Sequence, residues 1–403
     1  MDNSVRYRPS FDAFLRHGAC QLQDFAGFRA SPMKIAYLAR RPIPSMQAHA
    51  VQIVTMCEAF GKLGHELMLY ALRGDADPAT TYARYGVDQR FGIEVFPRVR
   101  RFKKTRFAAW LLRHKFPRQA DLFFGRDITS LAAASLLGRP LVYEAHTIPP
   151  INSYRWRLLS WMFARPNFSH LVCVTSTLAD LHREQFPALA GKPVLVVPNA
   201  GAELPVSPFG RAWPGRADTI QVGFVGRPYP GKGIEMMVDA ARQLPGLDFH
   251  VVGATEADLH WMTGGMPTNI HFRGYQPHGE LGAFFKRFDI AAAPYGKQVM
   301  SIGPADNAAI TSPLKLIEYM AAGLPSIVSD LPGVRDMVCG GDEVTLIVPP
   351  GDLGAFVGAL RRLADDSDLR TRFGKAARQR YLAQHTSTAR ARTVLGSLEN
   401  VRG

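Results

Sequence analysis

Lys315 and Glu318 stand three residues apart in the run Thr311-Ser312-Pro313-Leu314-Lys315-Leu316-Ile317-Glu318-Tyr319-Met320-Ala321-Ala322-Gly323-Leu324-Pro325, a spacing that puts both on nearly one face of a helix. A helix start offers free backbone N–H groups and the positive end of its dipole, and with Lys315 added it suits a phosphate. The Glu318 carboxylate can accept hydrogen bonds from vicinal hydroxyls, such as those of a ribose. This chemistry is half of a nucleotide site. An ordinary capped surface helix with a Lys–Glu pair is built from the same residues.

A second group of cations follows an apolar run. Ile220-Gln221-Val222-Gly223-Phe224-Val225-Gly226-Arg227 reads as a strand entering a turn, and Pro228-Tyr229-Pro230-Gly231-Lys232-Gly233 leads into a helix over 234–244. Glycines at 226, 231 and 233 let backbone approach a ligand, and Arg227 and Lys232 add charge beside a helix start. The spacing is neither that of a Walker loop nor that of a dinucleotide fingerprint. His146 follows a strand read at 140–145 that ends in Glu144-Ala145, where a parallel sheet opens its crevice. A ligand contact and a passive loop histidine both fit that place. The cysteines at 20, 57, 173 and 339 are far apart, with no Cys-x-x-Cys spacing and no histidine cluster. They are expected to be reduced thiols, with neither a zinc site nor a disulfide framework.

The elements that must hold these residues are legible around them. Ser312 reads as an N-cap with Pro313 at the first helical position; Leu314, Ile317, Met320 and Ala321 recur at helical spacing, and Gly323-Leu-Pro ends the helix. Near the start, 33–39 reads as a buried strand, a loop follows over 40–49, a helix ends near 63–65, and 66–72 is a second strand. Further strands are expected at 140–145, 171–175 and 194–197, then near 220–225, 248–252, 270–273, 289–293, 326–329 and 345–348. Such alternation predicts an α/β chain of doubly wound parallel sheets. At 403 residues it predicts two domains. The expected divisions are an extension over 1–30, a first domain over 31–204, a Pro/Gly-rich linker over 205–218, a second domain over 219–375, and a closing helical segment over 376–403.

Taken together, the Gly-Arg…Gly-Lys-Gly loop, Val251-Val252-Gly253, Ile270-His271-Phe272-Arg273-Gly274-Tyr275, Phe288-Asp289-Ile290-Ala291-Ala292-Ala293-Pro294 and the Glu318 helix resemble the donor half of retaining glycosyltransferases of family 4, which have the GT-B fold. The resemblance spans roughly residues 33 to 395. It implies two Rossmann-like domains facing each other across a cleft, with the last helix crossing back to the first. It implies transfer of a sugar from a nucleotide-sugar donor, with no metal or other cofactor. Catalysis would fall to His146, Arg227, Lys232 and Glu318, and nucleotide binding to Gly226, Arg227, Lys232, Tyr275, Ser312, Lys315 and Glu318. One residue departs from the pattern: the family usually has a glutamate eight positions before Glu318, where this chain has Ile310. Asp306, Asn307 and Lys297 are nearby polar residues for that role.

Net charge is +14, and residues 1–200 carry 27 Lys and Arg against 14 Asp and Glu. The excess sits in the first half. Residues 98–118 hold nine Lys and Arg with no acid, interleaved with Phe102, Phe107, Trp110, Leu111, Leu112 and Phe116; residues 154–165 repeat the mixture. An anionic membrane surface is the partner this composition suits, and a solvated basic face over a core-packed helix is the alternative. No nucleic-acid motif accompanies the charge. No run of about 18 apolar residues occurs, so the expected location is cytoplasmic, peripheral on the inner face of the membrane. The acceptor expected there is a glycan or lipid-linked molecule. Competing readings are a soluble-acceptor enzyme, a sugar-nucleotide epimerase, and a degenerate nucleotide-binding scaffold of a polysaccharide assembly complex.

Overall fold

The computed structural model describes residues 31–45, 48–97, 103–201, 213–260, 262, 264–300, 306–339 and 343–399. The expected extension over 1–30 lies outside these residues, as do 98–102 and most of the Pro/Gly-rich linker.

Two parallel sheets organise the chain. The first joins β1 (Lys34–Ile43), β2 (Glu66–Arg73), β3 (Gly92–Phe96), β4 (Leu122–Gly125), β5 (Leu141–Ala145), β6 (Phe168–Cys173) and β7 (Val194–Val196) in the order β3-β2-β1-β4-β5-β6-β7. The second joins β8 (Gln221–Val225), β9 (Asp248–Val252), β10 (Ile270–Phe272), β11 (Ile290–Ala293), β12 (Ser326–Ser329) and β13 (Leu346–Val348) in the order β10-β9-β8-β11-β12-β13. Both are doubly wound. Strands such as Leu122–Gly125 and Leu141–Ala145 are buried throughout because helices cover both faces.

Two strands went unread in the sequence. β3 is a half-buried sheet edge with little alternation, and β4 is a four-residue apolar stretch too short to carry a period.

The first sheet has a core on each face. On one side Phe107, Leu111, Leu131, Leu159, Met162 and Phe163 pack together. The other side gathers Ile53, Val54 and Phe60 with Ala391, Val394, Leu395 and Leu398. The closing helix Ser387–Glu399 thus completes the core of the first sheet, although it follows the second in sequence. Two chain segments run together where the units join: Gly201 bridges Thr386, Gly201 N–H donates to His385 O at 3.1 Å, and the Tyr381 hydroxyl donates to Gly201 O at 3.2 Å.

The basic helix Lys103–Arg113 buries Phe107 and Leu111 and turns Arg106 and Arg113 outward, so its apolar side is consumed by the core. On Tyr154–Phe163 the aromatic residues Tyr154 and Trp161 are exposed beside Arg155 and Arg157. Among the described residues no helix is long and apolar enough to cross a membrane. Cys57 and Cys173 are buried thiols, but Cys339 is disulfide-bonded, which corrects the expectation of four thiols. Cysteines remote in sequence meet only through the tertiary fold.

Candidate active site

In the second sheet the winding reverses between β8 and β11, and a crevice opens beyond their carboxyl ends. Gly226 follows β8 there. A Cβ at Gly226 would stand 2.7 Å from both Cε and Nζ of Lys315, so only glycine leaves the ammonium its place against the strand end. Lys315 Nζ lies 3.6 Å from the centre of the Phe224 ring and 3.5 Å from the Lys232 backbone oxygen. Lys232 is delivered from the other side by the loop Gly231-Lys232-Gly233; both glycines have positive φ. Both ammonium groups flank the Tyr295 ring, at 5.3 and 5.8 Å from its centre.

Neither lysine meets a carboxylate among the described residues. Burial lowers the pKa of Lys232; burial and the charge of Lys232 hold that of Lys315 well below the usual lysine range. Two neighbouring lysines with no ion-pair partner among the described residues, opposed only by the more distant charges of Glu318 and Glu235 on Lys315, form a seat for an anion. Arg227 follows Gly226, exposed and with no ion pair among the described residues.

Glu318 lies one turn along the helix Leu314–Ala321, with its side chain 14% exposed and 3.1 Å from His278 Nε2. Tyr275 is 55% exposed. Ser312 departs from its expected place as a cap. Pro313 occupies the N-cap position, and the buried Ser312 Oγ instead accepts from Asn199 N–H at 3.2 Å, while Ser312 O accepts from Asn199 Nδ2. A residue 113 positions away has taken the hydroxyl, which local spacing cannot reveal.

Across the cleft, His146 follows β5. Its Nε2 and Arg126 Nη2 each lie 2.7 Å from Glu144 Oε1, and Arg390 Nη1 reaches Glu144 Oε2 at 3.3 Å. Burial alone would raise the Glu144 pKa, but Arg126, Arg390 and His146 hold it well below the usual range. With Glu144 ionised, His146 Nε2 carries the proton and donates, leaving Nδ1 as an acceptor. Burial and Arg126 push His146 down to about 4, so its ring is neutral at pH 7. Arg126 also donates to Gln52 Oε1 at 3.2 Å. Gln52, with Val51 and Thr55, lines a pocket together with Ala200, Gly201, His278, Leu314 and Glu318.

The sequence matches the family described as Glycosyltransferase Family 4 over residues 49–200 and that described as Glycosyl transferases group 1 over 219–366. The chain belongs to glycosyltransferase family 4. This family 4 chain is 30% identical over 218 residues to phosphatidyl-myo-inositol mannosyltransferase of Mycobacterium leprae, covering 51% of its own length and 54% of the relative's. The match thus spans about half of that relative. Among solved structures it resembles Anabaena HepE in complex with UDP-glucose, with a TM-score of 0.66 at 17% identity over 91% of this chain and 100% of that one. It also resembles sucrose-phosphate synthase from Thermosynechococcus elongatus, with a TM-score of 0.64 at 17% identity over 92% and 99%. The shared architecture is the GT-B fold.

The family 4 pattern explains neither Ile310 nor four residues that sequence reading missed. Ile310 packs against the core of the first sheet, so an apolar contact between the units stands where a glutamate is usual. Asp306 Oδ1 is occupied by the backbone N–H groups of Val299 and Ala308. The missed residues are Gln52, Arg126, His278 and Arg390. Arg126 follows β4, and recognising that strand would have exposed it; the others carry no local signal.

Proposed function

We propose that the protein is a retaining, metal-independent glycosyltransferase that moves a sugar from a nucleotide-sugar donor to a lipid-linked, envelope or exopolysaccharide acceptor at a membrane surface. The observation that carries this reading is the pairing of Lys232 and Lys315 at the β8/β11 crevice, neither in an ion pair among the described residues. A nucleoside diphosphate supplies the missing negative charge. As the bond to the anomeric carbon breaks, charge grows on the leaving phosphate, and Arg227, Lys232 and Lys315 stabilise it there without having to rearrange. Loss of one such cation is expected to cost about 10²–10³ in rate. Glu318 takes the ribose hydroxyls, replacing its contact to His278. His146 Nδ1 accepts a hydrogen bond from a hydroxyl of sugar or acceptor, and the leaving phosphate takes the acceptor proton.

The membrane part of the reading is supported by one face of the first unit. Arg106, Arg113, Lys115 and Arg118 are exposed there, with Leu136, Ile151, Tyr154 and Trp161 protruding among Arg155 and Arg157. Each basic residue near an anionic surface adds on the order of 1 kcal/mol.

Calorimetric titration of UDP, GDP and ADP into wild type, Lys232→Ala and Glu318→Ala tests the donor site. Binding of one nucleotide, weakened in both variants, is expected. No binding to wild type would overturn the glycosyltransferase reading. Analysis of products from the matching sugar nucleotide separates transfer from epimerisation, and flotation with anionic and neutral vesicles tests the membrane surface.

A further inference from the structure

Strand β1 loses step with β2 between Leu38 and Pro42, and within that irregularity Arg40 is held at φ 39. A side chain in the left-handed region is strained, and such bulges persist beside sites where they re-aim side chains. Here the bulge brings Arg40 Nη2 to 2.9 Å from Asp127 Oδ1, beyond the carboxyl end of β4. The next residue, Arg41, is exposed and has no hydrogen bond or ion pair among the described residues. Arg155, at the start of the helix Tyr154–Phe163, is likewise exposed and unpaired. Burial and the neighbouring charges of Arg40, Arg155 and Arg126 lower the Arg41 pKa, with Asp127 opposing.

The acids of this crevice are already engaged. Asp127 accepts from Arg40 and caps the helix Ile128–Ala134 through Ser130 N–H, and Glu144 is shared by Arg126, Arg390 and His146. Four buried nitrogens around it, Arg40 Nε, His49 Nε2, Gln52 Nε2 and Arg126 Nε, have no hydrogen-bond partner among the described residues. Buried polar atoms are seldom left so, and four in one crevice mark a place that a polar ligand completes. Gln52 also lines the pocket that holds Glu318, so this crevice is continuous with the donor side.

We propose that the acceptor carries an oxyanion, a phosphate ester or a carboxylate, beside the hydroxyl that is glycosylated, and that Arg41 and Arg155 bind that group. Planar guanidinium forks match both anions, and Gln52, which accepts from Arg126, lines the pocket that holds Glu318. The proposal rests on the glycosyltransferase reading above.

The test is calorimetry on the full chain with its donor site saturated by the nucleoside diphosphate that binds. The probes are glycerol 1-phosphate, methyl glucuronide and neutral methyl glucoside, titrated into wild type, Arg41→Gln, Arg155→Gln and the double variant. Because neither arginine has a partner, the variants are expected to fold as wild type does. At least one anionic probe is expected to bind about tenfold or more tightly than the neutral one, and the double variant to lose that preference with nucleotide affinity unchanged. Glycerol 1-phosphate alone would assign a phosphate-bearing acceptor, and the glucuronide alone a carboxylate-bearing one. Equal binding of all three probes, or an unchanged preference in the double variant, would overturn the proposal. Absence of nucleotide binding by wild type would sink the glycosyltransferase reading and this one together. Nucleotide binding without anion preference would sink only this one.

Discussion

Lys315 Nζ lies 3.5 Å from the backbone oxygen of Lys232, so two lysines distant in sequence share one strand end, neither ion-paired to a carboxylate among the described residues. Uncompensated charge in a recessed site opposes folding and favours an anion. Lys315→Met is therefore expected to raise the melting temperature of the unliganded protein by roughly 2 °C while abolishing nucleotide binding. Differential scanning calorimetry with and without nucleotide checks both. A lower melting temperature in the unliganded variant would mean that the contact with the Phe224 ring outweighs the charge.

Gly226 makes that placement possible. Gly226→Ala sets a methyl group 2.7 Å from the existing positions of Lys315 Cε and Nζ, and the flexible end of the lysine must move. The variant is expected to unfold within about 1 °C of wild type yet to bind nucleotide as poorly as Lys315→Met. Wild-type nucleotide affinity would show that the ammonium position is unimportant.

Glu144 is fully buried between Arg126 and Arg390. Glu144→Gln leaves two guanidinium groups short of a counter-charge, at a cost of about 3–5 kcal/mol. Because Arg390 belongs to the closing helix, proteolysis should then release that helix early. Glu144→Gln/Arg390→Met should recover part of the loss in urea unfolding, and an additive double variant would refute the coupling.

Acid should destabilise the protein in two stages. Burial, joined at His146 by Arg126 and at His385 by Arg380, pushes His146, His182 and His385 down from 6.5 to about 4. Between those values the unfolded chain binds more protons than the folded one, so stability rises with pH. It is complete above pH 6.5 and is lost as pH falls toward 4. Glu144, held well below its usual 4.5, adds a contribution that is lost only below that value. Urea unfolding at pH 7, 6 and 5 should show a steady decline, with a shallower slope in His182→Gln.

The sequence by itself determined the two wound sheets and pointed to Gly226, Lys232 and Lys315, which the fold gathers at the β8/β11 crevice. The second-sheet strands hold short apolar stretches bounded by turn residues, Gly226 follows one of them, Lys232 precedes the helix Ile234–Gln243, and Lys315 lies in the first turn of Leu314–Ala321. β3 and β4 escaped it because an edge strand and a four-residue strand take their definition from their neighbours. Tertiary structure alone decided the rest. It gave the Ser312 hydroxyl to Asn199, turned Ile310 onto the first unit's core, set His278 against Glu318 and carried Arg390 to Glu144. Arg390 lies 246 residues from Glu144, and a pairing over that distance depends on how two sheets and a returning helix pack, which no local pattern of residues encodes.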